Sequence, residues 1–247
     1  MTAKLLVRGM LIGLLAGIIA FCFAHWAGEP NVDASIAVEQ ANEQAHSHAA
    51  GHSHEEEGPV SRHTQATYGL FTGITLYSIA LGGLFALAFA FAQGRVGRLE
   101  GRHLACVIAA CAFVAVVLVP WLKYPANPPA VGSPETIGSR TALFFGMLLI
   151  SVVGMIAAFI FTRLLRERYA AYESVLGGVA LYGIIVLLAG ILLPSVDEVP
   201  SDFPADVLFN FRLTSLGINA IVWSILGIGF GLWVDHGRQR AHSSALA

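Results

Sequence analysis

A run of histidine and glutamate stands out in a chain that is otherwise apolar. The stretch HSHAAGHSHEEE, residues 46–57, holds two His-x-His pairs followed by three glutamates. Neutral imidazole binds borderline divalent metals such as cobalt, nickel, copper and zinc, and carboxylates add oxygen ligands. Because five of the nine histidines fall within eighteen residues, the pattern predicts a metal-binding segment whose ligands are His46, His48, His52, His54 and His63.

The expected geometry of this segment is loose. In an extended chain, residues i and i+2 lie on one side about 6–7 Å apart, and a turn through Ala49–Gly51 brings the two pairs to one ion. The surrounding residues 28–67 are rich in Ala, Ser, His and Glu and have little to form a core, so we expect a mobile loop. Its composition allows a short helix over residues 33–44. Flexible imidazole ligands favour weak capture and do not select one metal.

A second candidate pair lies where the first apolar run ends, in FAHWAGEP. His25 and Glu29 share a face if the helix continues that far, so both are further candidate metal ligands. The alternative is that His25 is an interfacial histidine beside Trp26.

Two proline-rich segments carry a third group of polar residues. The segment PWLKYPANPPAVG follows the third apolar run, and VDEVPSDFPADVLFNFRLTSLGINA follows the fifth. An acidic surface concentrates cations, although ordinary loop acidity explains the same pattern. We therefore predict an outer mouth formed by Tyr124, Asn127, Glu135, Asp197, Glu198, Asp202, Asp206, Arg212 and Asn219.

The elements that position these residues are membrane helices. The chain is 56% hydrophobic and 12% charged, whereas average soluble domains are about 25% charged. A transmembrane helix needs about 20 apolar residues, and spans in lipid are helices or closed barrels. The sequence predicts an all-α, polytopic bundle forming one integral membrane domain over residues 1–247. Its six spans are residues 5–26, 68–92, 104–122, 141–162, 176–193 and 213–234.

Details of the spans follow from their residues. The first apolar run is too long for a cleaved signal peptide and predicts an anchor. Gly9, Gly13 and Gly17 on this run have the four-residue spacing that allows close helix packing. Proline at the ends of the third and fifth runs leaves five spans open if one is re-entrant.

Charge predicts the orientation. Cytoplasmic loops of membrane proteins carry an excess of Lys and Arg, and ten of the fourteen basic residues lie on one side of the six-span arrangement. Both termini, including a short tail over residues 235–247, are therefore predicted to be cytoplasmic. The His-rich loop and the outer mouth face the periplasm or the cell exterior.

Several functions are excluded or disfavoured. The net charge of −2 is unlike that of a nucleic-acid-binding protein, which needs a basic surface. Glycine-rich phosphate loops, H-E-x-x-H and G-x-S-x-G are absent, so we expect no enzyme. We also expect no tightly bound cofactor.

The two proline-rich segments, together with LVRGMLIGLLAGIIAF near the start, resemble the CbtA family of proposed cobalt transporters. The resemblance implies a multi-pass subunit of the bacterial inner membrane that takes up cobalt for cobalamin synthesis. It also implies a small, single-span, His-bearing partner of the CbtB type. The expected cargo is a divalent metal, cobalt first, with nickel and zinc left open, and a homo-oligomer is also left open.

Two other functions remain open at this point. The first is a membrane protein that senses or buffers metal through its loop without transporting it. The second is a membrane-embedded enzyme, which predicts ionisable residues in a polar cavity within the bilayer.

Overall fold

The computed structural model describes residues 2–50, 60–95 and 99–246, and the side chains at 43, 45–50 and 237–246 lie outside this description. The described residues form helices and no strand. The α-helices are α1 (Thr2–Phe23), α2 (Glu29–Ala50), α3 (Arg62–Thr64), α4 (Leu70–Ala92), α5 (Gly101–Ala112), α6 (Val119–Lys123), α7 (Ile137–Leu165), α8 (Ala171–Leu192) and α9 (Ala205–Leu246).

The six predicted membrane spans are confirmed. Within the described residues, six helical segments are long and apolar enough to cross a bilayer: Thr2–Asn42, Arg62–Ala92, Gly101–Lys123, Pro134–Leu165, Ala171–Leu192 and Ala205–His236. The shortest has 22 residues, which at 1.5 Å per residue is about 33 Å and covers the hydrocarbon core. The third and fifth spans both qualify in spite of the prolines at their ends.

Short π-helical turns connect several helices. One of them, Phe113–Leu118, joins α5 to α6 just before Pro120. Proline lacks an N–H and its ring clashes with the carbonyl four residues earlier, so the helix widens there instead of ending. A second π-helical turn, Ala24–Gly28, joins α1 to α2 without a break.

Helix α2 runs from Glu29 to Ala50, which is longer than the short helix allowed over residues 33–44. Its Ala, Glu and Gln residues are strong helix formers, and its start on the end of α1 removes the cost of a new helix nucleus. At the other end of the chain, α9 continues to Leu246, so the backbone of the predicted tail is helical as far as that residue.

One compact unit comprises Met1–Ala110, Pro128–Ala130 and Pro204–Ala247. In it α1 packs on α4 through the glycines predicted to do so. A Cβ at Gly9 or Gly13 would collide with the carbonyl oxygens of Gly82 and Ser78, respectively, and a Cβ at Gly17 would lie 2.9 Å from the Cα of Thr75. The small-residue face is therefore confirmed as a packing surface.

Helix α9 completes this unit. Its Gly229 faces Ile12 and its Gly217 faces Phe23, both on α1. Phe230 meets Phe85 and Phe89 of α4 edge-on, with ring centroids 5.4 and 5.0 Å apart. These rings fill the space between α4 and α9 in the geometry that aromatic quadrupoles prefer.

The other unit comprises Cys111–Asn127 and Val131–Phe203. Val119, Met147 and Ala189 form its buried core. The hydroxyls of Ser151 on α7 and Tyr182 on α8 are 2.7 Å apart, and this hydrogen bond ties the two helices. Large apolar side chains cover the outside of both helices, such as Leu187 at 64% exposure, as expected of surfaces that contact lipid.

Candidate functional site

Glu29 lies at the start of α2 and is paired with Arg62 of α3, not with His25. Its carboxylate, only 11% exposed, accepts a hydrogen bond from Nη2 of Arg62. The Nε of the same guanidinium donates to Asp33, one helical turn further along α2, at 3.0 Å. Because a buried carboxylate is costly without a partner, this pairing explains how Glu29 is tolerated below the surface. Metal binding by Glu29 requires displacement of Arg62.

His25 lies in the π-helical turn and contacts a different group. Its Nδ1 is 3.2 Å from the carbonyl oxygen of Ala66, and its ring stacks on Phe21 with centroids 5.7 Å apart. Since a carbonyl only accepts, Nδ1 carries the proton. In the neutral ring Nε2 then holds the free lone pair, which is the tautomer of a histidine oriented for metal binding.

The histidine pairs divide at the limit of the described residues. The backbone of His46 and His48 lies on α2. His52 and His54, with Glu55–Glu57, lie outside the described residues, as do the side chains of His46 and His48. His63 is on α3 and is exposed.

In the second unit, two predicted mouth carboxylates meet at Ser133, in the connection between α6 and α7. The backbone N–H of Ser133 donates to Oε2 of Glu198 at 3.0 Å, and its hydroxyl donates to Glu135. Arg140, on the first turn of α7, donates from Nη2 to the carbonyl oxygen of Ser133 at 3.2 Å. Its Nε lies 3.3 Å from Oε2 of Glu198. We refer to Ser133, Glu135, Arg140 and Glu198 as the Ser133 cluster.

Gly132 makes the position of Arg140 possible. Its φ of +106° is one that side-chain-bearing residues rarely adopt. A Cβ at Gly132 would also overlap the guanidinium of Arg140. Both the backbone angle and the space taken by Arg140 therefore require glycine at position 132.

The end of α8 is held by the end of α6. Lys123 donates from Nζ to the carbonyl oxygen of Gly190 at 2.9 Å, and the Tyr124 hydroxyl donates to that of Pro194 at 2.7 Å. The last carbonyls of a helix lack partners within it, and a cation there also favours the helix dipole. Lys123 thus satisfies a carbonyl in the last turn of α8, and Tyr124, predicted as part of the mouth, holds the segment just after it.

The environment of Glu198 favours its charged form. Hydrogen bonding from the Thr136 side chain has the largest effect in lowering the pKa of its carboxyl, followed by the Ser133 N–H and the charge of Arg140. The carboxylate is therefore ionised throughout the neutral pH range. Its side chain is 19% exposed, which leaves it reachable from solvent.

The other predicted mouth residues are spread more widely. Asp197, Asp202 and Asp206 are exposed. Asn127 and Arg212 are half-buried, and each interacts with a partner. Asn219 donates from Nδ2 to the carbonyl oxygen of Ser215 on its own helix at 3.0 Å. Among the described residues, no group of three His, Cys, Asp or Glu side chains is arranged to hold a metal ion.

Comparison with known proteins gives one positive result. The family model described as "Probable cobalt transporter subunit (CbtA)" matches residues 2–235. The chain belongs to the CbtA family. It is therefore a membrane protein of a family of probable cobalt transporter subunits, and the recognition made from the proline-rich segments is confirmed. A search of curated proteins and a search of solved structures each found no match.

Membership of a family of probable cobalt transporter subunits implies a transported metal and a transporter rather than an enzyme. The match covers both units and both proline-rich connections.

Two residues of the Ser133 cluster, Ser133 and Arg140, were not among the predicted site residues. Gly132, which makes room for Arg140, was not among them either. Two signals in the sequence point to them. A glycine after several prolines indicates a turn with unusual backbone angles. An arginine in a chain with only 12% charged residues indicates an ion pair, although the sequence does not tell which acid is its partner.

Proposed function

We propose that this CbtA-family subunit takes up divalent cobalt and that the cation enters the protein through the Ser133 cluster. The observation that supports this most directly is the convergence of two carboxylates, Glu135 and Glu198, on Ser133. They come from different connections of a membrane protein whose family carries metal. Carboxylates near the surface raise the local concentration of cations and speed their arrival.

In this proposal the histidines collect the ion before it reaches the cluster. The proposed nitrogen ligands are His46, His48, His52, His54 and His63. His25 adds a ligand at the base of the segment, because its bond to Ala66 leaves Nε2 free to bind. Because an imidazole nitrogen binds a metal only when it carries no proton, acid should release the metal.

The proposed location is the bacterial inner membrane, with both termini cytoplasmic. This orientation is proposed because cytoplasmic loops of membrane proteins carry an excess of Lys and Arg, and most basic residues of this chain lie on one side of the six-span arrangement. Six crossings then put the histidine segment and both proline-rich connections outside. A membrane potential of 100 mV contributes about 4.6 kcal/mol to the inward movement of a divalent cation.

The family resemblance supplies the remaining parts of the proposal. It implies a small, single-span, His-bearing CbtB-type partner and a role in cobalt supply for cobalamin. The exposed apolar faces of α7 and α8 contact lipid in this arrangement. A non-transporting sensor or buffer would use the same ligands but would produce no flux.

Radiocobalt uptake into cells or liposomes, with and without the partner, tests the proposal. Alanine at His46, His48, His52 and His54 should reduce uptake at limiting cobalt and leave it unchanged at saturating cobalt. The amides Asp197→Asn, Glu198→Gln and Asp202→Asn, combined in one variant, should lower flux at every concentration.

Three outcomes would change the proposal. Absence of flux with the partner present would favour the sensor or buffer. Complete loss of flux in the histidine variant would place the histidines in the pathway itself. Unchanged flux in the amide variant would make these acids ordinary loop residues.

A further inference from the structure

The contact between Arg140 and Glu198 is an ion pair without a well-aligned hydrogen bond. The Nε of Arg140 lies 3.3 Å from Oε2 of Glu198, yet this buried nitrogen has no hydrogen-bond partner among the described residues. The pair is therefore held by charge attraction alone. A competing cation displaces such a contact more readily than a bidentate, hydrogen-bonded pair, which is stronger.

Arg140 is held in place independently of Glu198. Its Nη2 donates to the carbonyl oxygen of Ser133 at 3.2 Å, and its guanidinium occupies the space left by the missing side chain of Gly132. Both supports belong to the same connection as Ser133. Glu198 belongs to the connection that follows α8, and it reaches Ser133 through the bond from the backbone N–H. If the pair opens, Glu198 is the partner that moves.

Building on the proposed function, we propose that Arg140 is a built-in substitute for the transported cation and that its contact with Glu198 is a latch. In the resting protein the guanidinium neutralises Glu198, and the connection after α8 stays fastened to Ser133. An arriving divalent cation competes with Arg140 for the Glu198 carboxylate. Capture of the cation draws Glu198 away from Ser133 and releases the connection.

The latch makes a contrast between two substitutions. Glu198→Gln keeps an oxygen that accepts the Ser133 N–H but removes the charge, so the latch loosens and loses its response to metal. Arg140→Gln keeps the carboxylate but removes the competitor, so the latch responds at lower cobalt concentration. If the contact has only a structural role, it loosens in both variants. In that case metal changes none of the three proteins, the two variants and the unsubstituted one.

Amide hydrogen exchange of Ser133 in the purified, full-length protein in nanodiscs measures the latch directly. Glu198→Gln should speed exchange about tenfold, because a hydrogen bond to a charged acceptor becomes one to a neutral acceptor. Arg140→Gln should speed it about threefold through loss of a partly exposed ion pair. Cobalt chloride should speed exchange in the unsubstituted protein, leave Glu198→Gln unchanged, and act at several-fold lower concentration on Arg140→Gln.

Glu173→Gln is the matched control. Its carboxylate also accepts a bond from a backbone N–H, that of Ala170, at 3.4 Å, but it lies at the other end of α8. It should leave Ser133 exchange and its cobalt response unchanged. Amides of Leu148–Val152 on α7 report whether each variant is folded, and Arg140→Lys, which keeps the charge, covers the case in which Arg140→Gln does not fold.

The latch proposal is wrong if the exchange rate of the Ser133 amide is the same with and without the Glu198 charge and does not change when cobalt is added. This readout is separate from transport. If radiocobalt uptake is absent but Ser133 exchange responds to cobalt as expected, the proposed function is wrong and the latch is supported. If uptake is present but Ser133 exchange does not respond to cobalt, the latch is wrong and the proposed function is supported.

Discussion

Replacing Gly132 by alanine should destabilise the unit that contains Ser133 more than any other single-methyl change in this connection. The backbone at Gly132 has φ +106°, a conformation that costs a residue with a side chain about 1–3 kcal/mol. The new methyl group would also overlap the guanidinium of Arg140. Arg140 must then move away from the carbonyl of Ser133 and from Glu198.

The second loss adds to the first. A hydrogen bond that involves a charged group contributes about 1.5–3 kcal/mol, and Arg140, 24% exposed, retains part of this by binding water. We expect a total near 3 kcal/mol. For a chain of about 150–250 residues each kcal/mol lowers the melting temperature by about 2–4 °C. The melting temperature in detergent, followed by fluorescence-detected size exclusion, should therefore fall by about 6–12 °C.

Gly138→Ala is the matched control, because a Cβ at Gly138 on the first turn of α7 meets nothing within 4 Å. It should leave the melting temperature unchanged or raise it, since alanine favours a helix over glycine by about 1 kcal/mol. In the double variant Gly132→Ala with Arg140→Ala the overlap is gone, so the two losses should be less than additive. A Gly132→Ala protein as stable as Gly138→Ala would refute this account of the connection.

Two further predictions concern other parts of the protein. Gly13→Leu should separate α1 from α4, because its Cβ overlaps the carbonyl of Ser78. The control Gly73→Leu should be tolerated, because a Cβ there has nothing within 4 Å. The yield of folded protein in detergent measures both variants, and equal yields would contradict the packing of α1 on α4. The pKa of Glu198 is lowered by the Thr136 hydroxyl, the Ser133 N–H and Arg140, so its ionised carboxylate stabilises the folded protein. This stabilisation should be fully present above the ordinary carboxyl pKa of 4.5 and should be lost as the pH falls through the lower pKa of the folded protein. The melting-temperature difference between the unsubstituted protein and Glu198→Gln should thus be constant from pH 8 to about pH 5.5 and shrink below pH 4.5, and a difference that shrinks between pH 8 and 6 would show that another group carries it.

The membrane architecture could be predicted because it follows from local composition. A segment of some 20 apolar residues has few alternatives to a membrane helix, and the glycines at positions 9, 13 and 17 also identify a packing face without reference to its partner. The connection after α1 was harder to predict. Its polar composition indicated a loop, but the continuous hydrogen-bonding of α1 through the π-helical turn carries α2 to Ala50.

The candidate site shows the same division. The proline-rich segments alone show which residue types gather there and to which family the chain belongs. The contacts of these residues could be read only from the packed helices: Glu29 pairs with Arg62, and Glu198 meets Ser133 and Arg140 across more than fifty residues. Helix formation depends on neighbours in sequence, whereas a charge pairs with whichever opposite charge the packed helices bring within about 4 Å.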